Sequence, residues 1–156
     1  MVVTGTPWSG PSFPGIDGTH SLEDLRTATA VQRTIHFGED PTVPDDAYGG
    51  YLINGRPFDI NRVDFTPALG AVEEWTIIND SDEEHPFHMH TNPFQLTQVN
   101  GAAVPFDSYH DTVVLPRLGS ITLRTRFADF TGKTVMHCHI IDHECNGMMA
   151  VVNVGG

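Results

Sequence analysis

Basic residues are scarce in this sequence: 8 lysines and arginines stand against 20 aspartates and glutamates in 156 residues, a formal charge of −12. That deficit excludes a nucleic-acid phosphate backbone as partner and leaves no basic face for an anionic membrane. The acidic surface instead suits solubility or a cationic partner. Cysteine is scarcer still, with only Cys138 and Cys145 present. If Cys138 is a metal ligand, no disulfide remains to form within the chain, so cysteine usage leaves the redox compartment open. No run of about eighteen apolar residues occurs, and the start MVVTGTPWSGPSF has no basic segment followed by an apolar one. Neither a membrane span nor a signal peptide is therefore expected, and the chain as given is predicted to be soluble. No internal repeat of a solenoid or propeller period is present.

What is there fits one domain, long enough to bury a core without disulfide staples. Residues 1–29 are rich in Gly, Pro, Ser and Thr, with GTPWSGPSFPGIDG holding four glycines and three prolines, and they are expected to form a linker or an irregular arm wrapping the surface. Within them SLEDLRTA could form one helical turn with Ser21 as its N-cap. From residue 30 to 156 the pattern changes to short β-branched and aromatic segments cut by turn residues. Nine strands are predicted: VQRTIHF, GYLI, RVDFT, VEEWTIIN, PFQLTQV, DTVVL, SITLRTRF, TVMHC and MMAVVNV. Asn54-Gly55, Asn100-Gly101 and Thr131-Gly132 mark turns between them. The spacing predicts an all-β Greek-key sandwich.

Two stretches carry the chemistry. HPFHMH places three histidines at 85, 88 and 90, and TVMHCHIIDHECNGMM supplies His137, Cys138, His139, His143 and Met148. Cys138, His143 and Met148 are spaced five and five, so a thiolate, an imidazole and a thioether converge from one segment. That combination suits copper, whose blue sites use two His and one Cys in a plane with a weak axial Met. His85, on an earlier strand end, is the natural second imidazole. Alternation along a strand then sends Cys138 one way and His137 and His139 the other, while His88 and His90 share one side of HPFHMH. Four imidazoles on one patch would form a second metal site joined through the backbone to the Cys138 sulfur.

Plainer readings apply elsewhere. His20, His36 and His110 are isolated and are expected to be ordinary satisfied polar side chains. Zinc competes with copper for a His and Cys site, but Met148 is a poor zinc ligand and no Cys-x-x-Cys pair is present. A cupin uses His-x-His as well, yet would leave the His-Cys-His segment and Met148 without a role. Met149 is expected in the core of the last strand, and Cys145 has no assigned role. Asn79-Asp80-Ser81 is formally a glycosylation sequon and is read as chance.

HPFHMH followed by HCHIIDHECNGMM resembles the C-terminal cupredoxin domain of the multicopper oxidases, the laccase-like family, and the resemblance extends from about residue 31 to 154 through YLINGRPFD, GAVEEWTIIND and DTVVLP. It implies that His85, Cys138, His143 and Met148 bind type 1 copper, His88 the type 2 copper, and His90, His137 and His139 the type 3 pair. Electrons from the substrate would enter at type 1 copper and pass through Cys138. Glu144 matches an acidic residue that delivers protons to the oxygen site in some bacterial members, with a solvated carboxylate as the plain alternative, and Asp111 is a candidate orienter behind the ligands. A periplasmic or secreted parent protein is implied too.

The family's oxygen-reducing cluster needs eight histidines, four of them from two further His-x-His motifs in an N-terminal domain, and these motifs are absent here. The Gly/Pro-rich start and lack of a signal peptide fit an internal or excised piece. Three expectations follow. The domain alone is a blue copper electron-transfer protein without oxidase activity; or two chains pool their histidine patches in a homo-oligomer; or a partner chain, a multicopper oxidase N-terminal domain, supplies the rest. Phenol-like small-molecule donors and dioxygen are the expected substrates of the completed enzyme. With methionines only at 1, 89, 136, 148 and 149, there is no Met-rich insert of a cuprous oxidase, and Met148 as axial ligand predicts a moderate potential.

Overall fold

The computed structural model describes residues 22–155. Ten strands, one short α-helix and one 3-10 turn occur among them: β1 Val31–Glu39, β2 Tyr51–Ile53, β3 Val72–Asn79, β4 His85–Met89, β5 Phe94–Val99, β6 Ala102–Ala103, β7 Thr112–Leu115, β8 Ser120–Arg126, β9 Gly132–Cys138, α1 Ile141–Cys145 and β10 Met149–Val154. They form a six-stranded sheet in the order β2-β1-β3-β8-β5-β6 and a four-stranded sheet in the order β10-β9-β4-β7. Only the β1 and β3 pairing is parallel; all other ladders are antiparallel. This is the expected all-β Greek-key cupredoxin-like sandwich.

Alternation builds the core. On β3 the side chains of Trp75 and Ile77 are fully buried while the alternate residues Thr76 and Ile78 are half-buried, as period two requires. They pack with Phe37, Phe87, Leu123 and Met136 in one cluster that also contains Cys138 and Met148. The two sulfur atoms of greatest chemical interest are thus part of the hydrophobic core. Glu73 lies on the same inward face and is buried, and its carboxylate accepts from Arg33 at 2.6 and 2.7 Å and from Trp75 Nε1 at 2.7 Å. A buried charge needs such complete pairing.

Two of the three turn signals form left-handed pairs, Asn54 and Gly55 at φ 52° and 70°, and Asn100 and Gly101 at φ 49° and 75°, the geometry favoured by tight hairpins. Three details differ from expectation. RVDFT is not a strand. Phe65 makes one parallel bridge to Val152, but the Val151 amide donates to the Asp64 carboxylate at 2.9 Å instead of to a main-chain carbonyl, which interrupts a ladder. HPFHM, absent from the nine, is the central strand β4, and β6 is an additional two-residue pairing. Near the N-terminus the turn is a 3-10 helix, Leu25–Thr27, capped by Asp24; Ser21 and most of the 1–29 arm lie outside the described residues. Leu25 is fully buried, with its amide on Gln95 Oε1 at 2.8 Å.

Candidate metal centres

Strand β9 lies beside β4 with Phe87 opposite Cys138, His88 opposite His137 and Met89 opposite Met136. Because successive side chains alternate, Met136 and Cys138 enter the core and His137 turns to the other face. After His139, whose amide donates to Pro86 O at 2.7 Å, the chain makes the single turn α1 and brings His143 back over Cys138. Gly147 follows at φ +124°, where a Cβ would lie 2.6 Å from Tyr51 O, so only glycine fits this return. Main-chain bonds then hold Met148: its amide donates to His143 O at 2.9 Å and its carbonyl accepts from Cys138 N at 3.1 Å.

In the first cluster His85, Cys138 and His143 are all buried and their ligand atoms converge. His85 Nδ1 and His143 Nδ1 are 3.1 Å apart, and Cys138 Sγ is 3.7 Å from the former and 3.5 Å from the latter. A triangle with these edges has a centre about 2 Å from every corner, close to a metal–nitrogen bond length. Two imidazoles, a sulfur and a fully buried Met148 beside them match the donor set of a blue copper site, and the thioether argues against zinc. Both rings are gripped from behind at Nε2, His85 by Ser81 Oγ at 2.7 Å and His143 by Glu83 Oε2 at 3.3 Å. Tyr51 stacks on His143 with centroids 4.1 Å apart and planes at 16°.

Burial dominates the electrostatics of this cluster. It pushes His85 down to about 4, with repulsion from His143 adding to the effect. His143 is lowered as well, burial outweighing the opposing pull of Glu83, Asp142 and Asp45. The Cys138 thiol is pushed up to about 12 by burial, and Tyr51 also to about 12, by burial first and then by Glu83, Asp45, Glu39 and Asp142. Neutral imidazoles are ready ligands, whereas Cys138 must release its proton to a metal.

On the opposite face of β9 a second group, His88, His90 and His137, brings its ligand atoms together. His90 Nε2 lies 3.0 Å from His137 Nε2. Here the rings are anchored through Nδ1: His88 to Asp111 O at 2.9 Å and Thr112 Oγ1 at 2.8 Å, His137 to Cys138 O at 2.9 Å and Glu144 Oε2 at 2.8 Å. The first cluster therefore presents Nδ1 inward, and the second leaves Nε2 free. His139 stands at the exposed margin, its ring 5.2 Å from that of His88 and 5.5 Å from that of His137. His90 is held below the usual histidine range by burial, with His137 and His88 adding to it.

The remaining sequence candidates take definite places. Glu144 touches a ring of the second cluster; Asp111 reaches His88 through its main-chain carbonyl, its side chain having no contact of this kind among the described residues. His36 pairs with Asp80 at 2.8 Å, His110 bridges Phe94, and Cys145 is free and exposed on α1. His20 lies outside the described residues. Asn79 is buried with its amide nitrogen bonded to two main-chain carbonyls, so the sequon cannot accept a glycan in the folded chain. The ring contacts of Ser81, Glu83, Tyr51 and Thr112 had no signal in the sequence, where Ser81 stood out only as part of the sequon.

A family profile described as Multicopper oxidase matches residues 20–156. The multicopper oxidase mco of Staphylococcus haemolyticus is 39% identical over 108 residues, covering 65% of this chain and 24% of that protein. A laccase of Haloferax volcanii is 31% identical over 152 residues, covering 90% and 26%. Among solved structures, a multicopper oxidase from Campylobacter jejuni described as a metallo-oxidase superposes with a TM-score of 0.75 at 28% identity, covering 86% of this chain and 32% of that one. The chain thus spans about a quarter of the length of these curated relatives. With its two histidine-rich clusters on the two faces of one strand, it belongs to the multicopper oxidase family.

Proposed function

We propose that this domain is the electron-accepting part of a laccase-like oxidase. His85, Cys138, His143 and Met148 would hold type 1 copper; His88 would serve a type 2 copper, and His90, His137 and His139 a type 3 pair. Bound copper supplies one-electron chemistry at the first cluster and reduction of dioxygen to water at the second. The observation that carries this reading is the alternation of β9, which gives Cys138 to one cluster and its covalent neighbour His137 to the other. Between these two residues the His137 Nδ1 to Cys138 O hydrogen bond, 2.9 Å, adds a second connection. Glu144, 28% exposed and 2.8 Å from His137 Nδ1, would hold a proton beside the second cluster.

The second cluster offers four histidines, and the open face on which they lie is to be completed by further histidines from a second copy of this chain or from a multicopper oxidase N-terminal domain. Phenol-like donors are the favoured reductants, and the parent protein belongs in the periplasm or outside the cell. No helix among the described residues is long and apolar enough to cross a membrane. The exposed position of His139 favours a second reading, a blue copper domain that only transfers electrons. Copper-loaded protein supplied with a phenolic donor separates the two. Oxygen consumption in step with donor oxidation, confined to assembled species, supports the oxidase; donor oxidation that stops after one electron per chain supports the carrier and contradicts the oxidase.

A further inference from the structure

Ser81 lies on the turn between β3 and β4, and its Oγ is 2.8 Å from Asn79 Oδ1 and 2.7 Å from His85 Nε2, with the Glu39 carboxylate also within hydrogen-bonding reach. The direction of every proton in this chain is determined by its outer end. Asn79 Nδ2 is 2.6 Å from Glu83 O and 3.0 Å from Pro116 O. Main-chain carbonyls only accept, so the amide NH2 of Asn79 must face them and Oδ1 must face the other way. That orientation is reinforced by the Ser81 amide, which donates to the same Oδ1 at 3.0 Å. Asn79 Oδ1 and an ionised Glu39 carboxylate can only accept, so the single hydroxyl proton of Ser81 goes to that side and not to His85. What Ser81 turns towards His85 is a lone pair. Nε2 of His85 must then carry the ring proton, and Nδ1 is left bare, aimed at Cys138 Sγ and His143 Nδ1 at 3.7 and 3.1 Å.

We propose that Asn79-Asp80-Ser81 is a tautomer clamp that presets His85 as a metal ligand through Nδ1, and that Ser81 is its positioning residue. The stretch that reads as a glycosylation sequon thus has a structural use. His85 and Ser81 are both buried, at 0% and 7% exposure, so no solvent competes for the Nε2 proton. At His143 the partner behind Nε2 is the Glu83 carboxylate, also an acceptor, but at the longer distance of 3.3 Å and half exposed. One ligand is thus preset by a buried directional chain and the other by a longer, solvent-exposed hydrogen bond. Partners behind a ligating histidine fix its tautomer and orientation, and losing one typically costs about 10- to 100-fold in metal affinity. The clamp's role in metal binding rests on the reading that His85, Cys138 and His143 hold copper.

The test begins on the metal-free wild-type chain, with long-range 15N–1H NMR of the His85 ring. A protonated Nε2 and an unprotonated Nδ1 are expected; the reverse tautomer would overturn the proposal whatever happens to any variant. Ser81→Ala should populate the Nδ1-protonated form and weaken Cu(II) binding, measured by competition titration, about 10- to 100-fold. Ser81→Thr, which keeps the hydroxyl, should restore both, and Glu83→Gln should leave the His85 tautomer unchanged. Ser81→Ala with wild-type tautomer and affinity sinks the clamp. A wild-type chain that binds no copper, yet shows the expected His85 tautomer, would instead overturn the copper reading and leave the hydrogen-bond chain standing.

Discussion

His88 and His137 face each other as register partners across β4 and β9. Immediately beside them Phe87 and Cys138 are partners too, with side chains on the opposite face of the sheet. The two clusters are back to back, separated by one thickness of backbone, and each should be removable without destroying the other.

Removing the ring of His90 tests that independence. His90→Ala should leave the fold and the intense visible band of the Cu(II)-loaded protein unchanged, while copper beyond the first per chain is lost. Metal analysis beside an absorption spectrum checks it; loss of the band would mean that the clusters are not separate.

Cys138→Ser is the converse. The sulfur supplies the thiolate of the first cluster, so the variant should lose the intense visible absorption on copper loading and keep its far-ultraviolet circular dichroism. An unchanged band would assign the colour to another ligand.

The pH dependence of the metal-free chain follows from His85, whose folded value of about 4 lies below its ordinary 6.5. In the window between these values the unfolded chain binds the proton more readily than the folded one, so stability rises with pH there. The contribution is fully present above about 6.5 and falls away as pH drops towards 4, by up to about 3 kcal/mol at 1.36 kcal/mol per unit. The lowered His143 acts in the same direction. Denaturant titrations at pH 7 and 4.5 should show the difference in the wild type and a smaller one in His85→Asn.

Gly147→Ala places a Cβ where Tyr51 O is 2.6 Å away, at a φ of +124°. A cost of about 1–3 kcal/mol is expected from the backbone strain alone. Since the neighbouring Met148 is tied to both His143 and Cys138, the visible spectrum should shift too. A stable variant with an unaltered spectrum would show that this turn does not set the position of Met148.

Much of this arrangement was legible in residue order. From Glu73 to Asn79 strand β3 alternates between buried and half-buried positions, and period two was enough to send Cys138 and His137 to opposite faces. HPFHM was harder to read as a strand because two histidines and a proline replace the usual β-branched residues, although its alternation was visible. Helix α1 has five residues and no side-chain cap at Ile140, too short for any periodicity to register. RVDFT has strand composition, but its Asp64 carboxylate takes the place of a ladder carbonyl, a choice made in three dimensions. The ring contacts of Ser81 and Tyr51 were invisible for the same reason: a proton's direction depends on Glu83 and Pro116 carbonyls across a turn, and the stack on His143 comes from a distant strand.

Native mass spectrometry of the copper-loaded chain tests the central claim most directly, because it reports assembly and metal count together. One copper retained by each monomer, with additional copper only in assemblies, is the predicted result. A monomer that holds several coppers tightly, or none at all, would contradict a complete first cluster beside a second one that needs another chain.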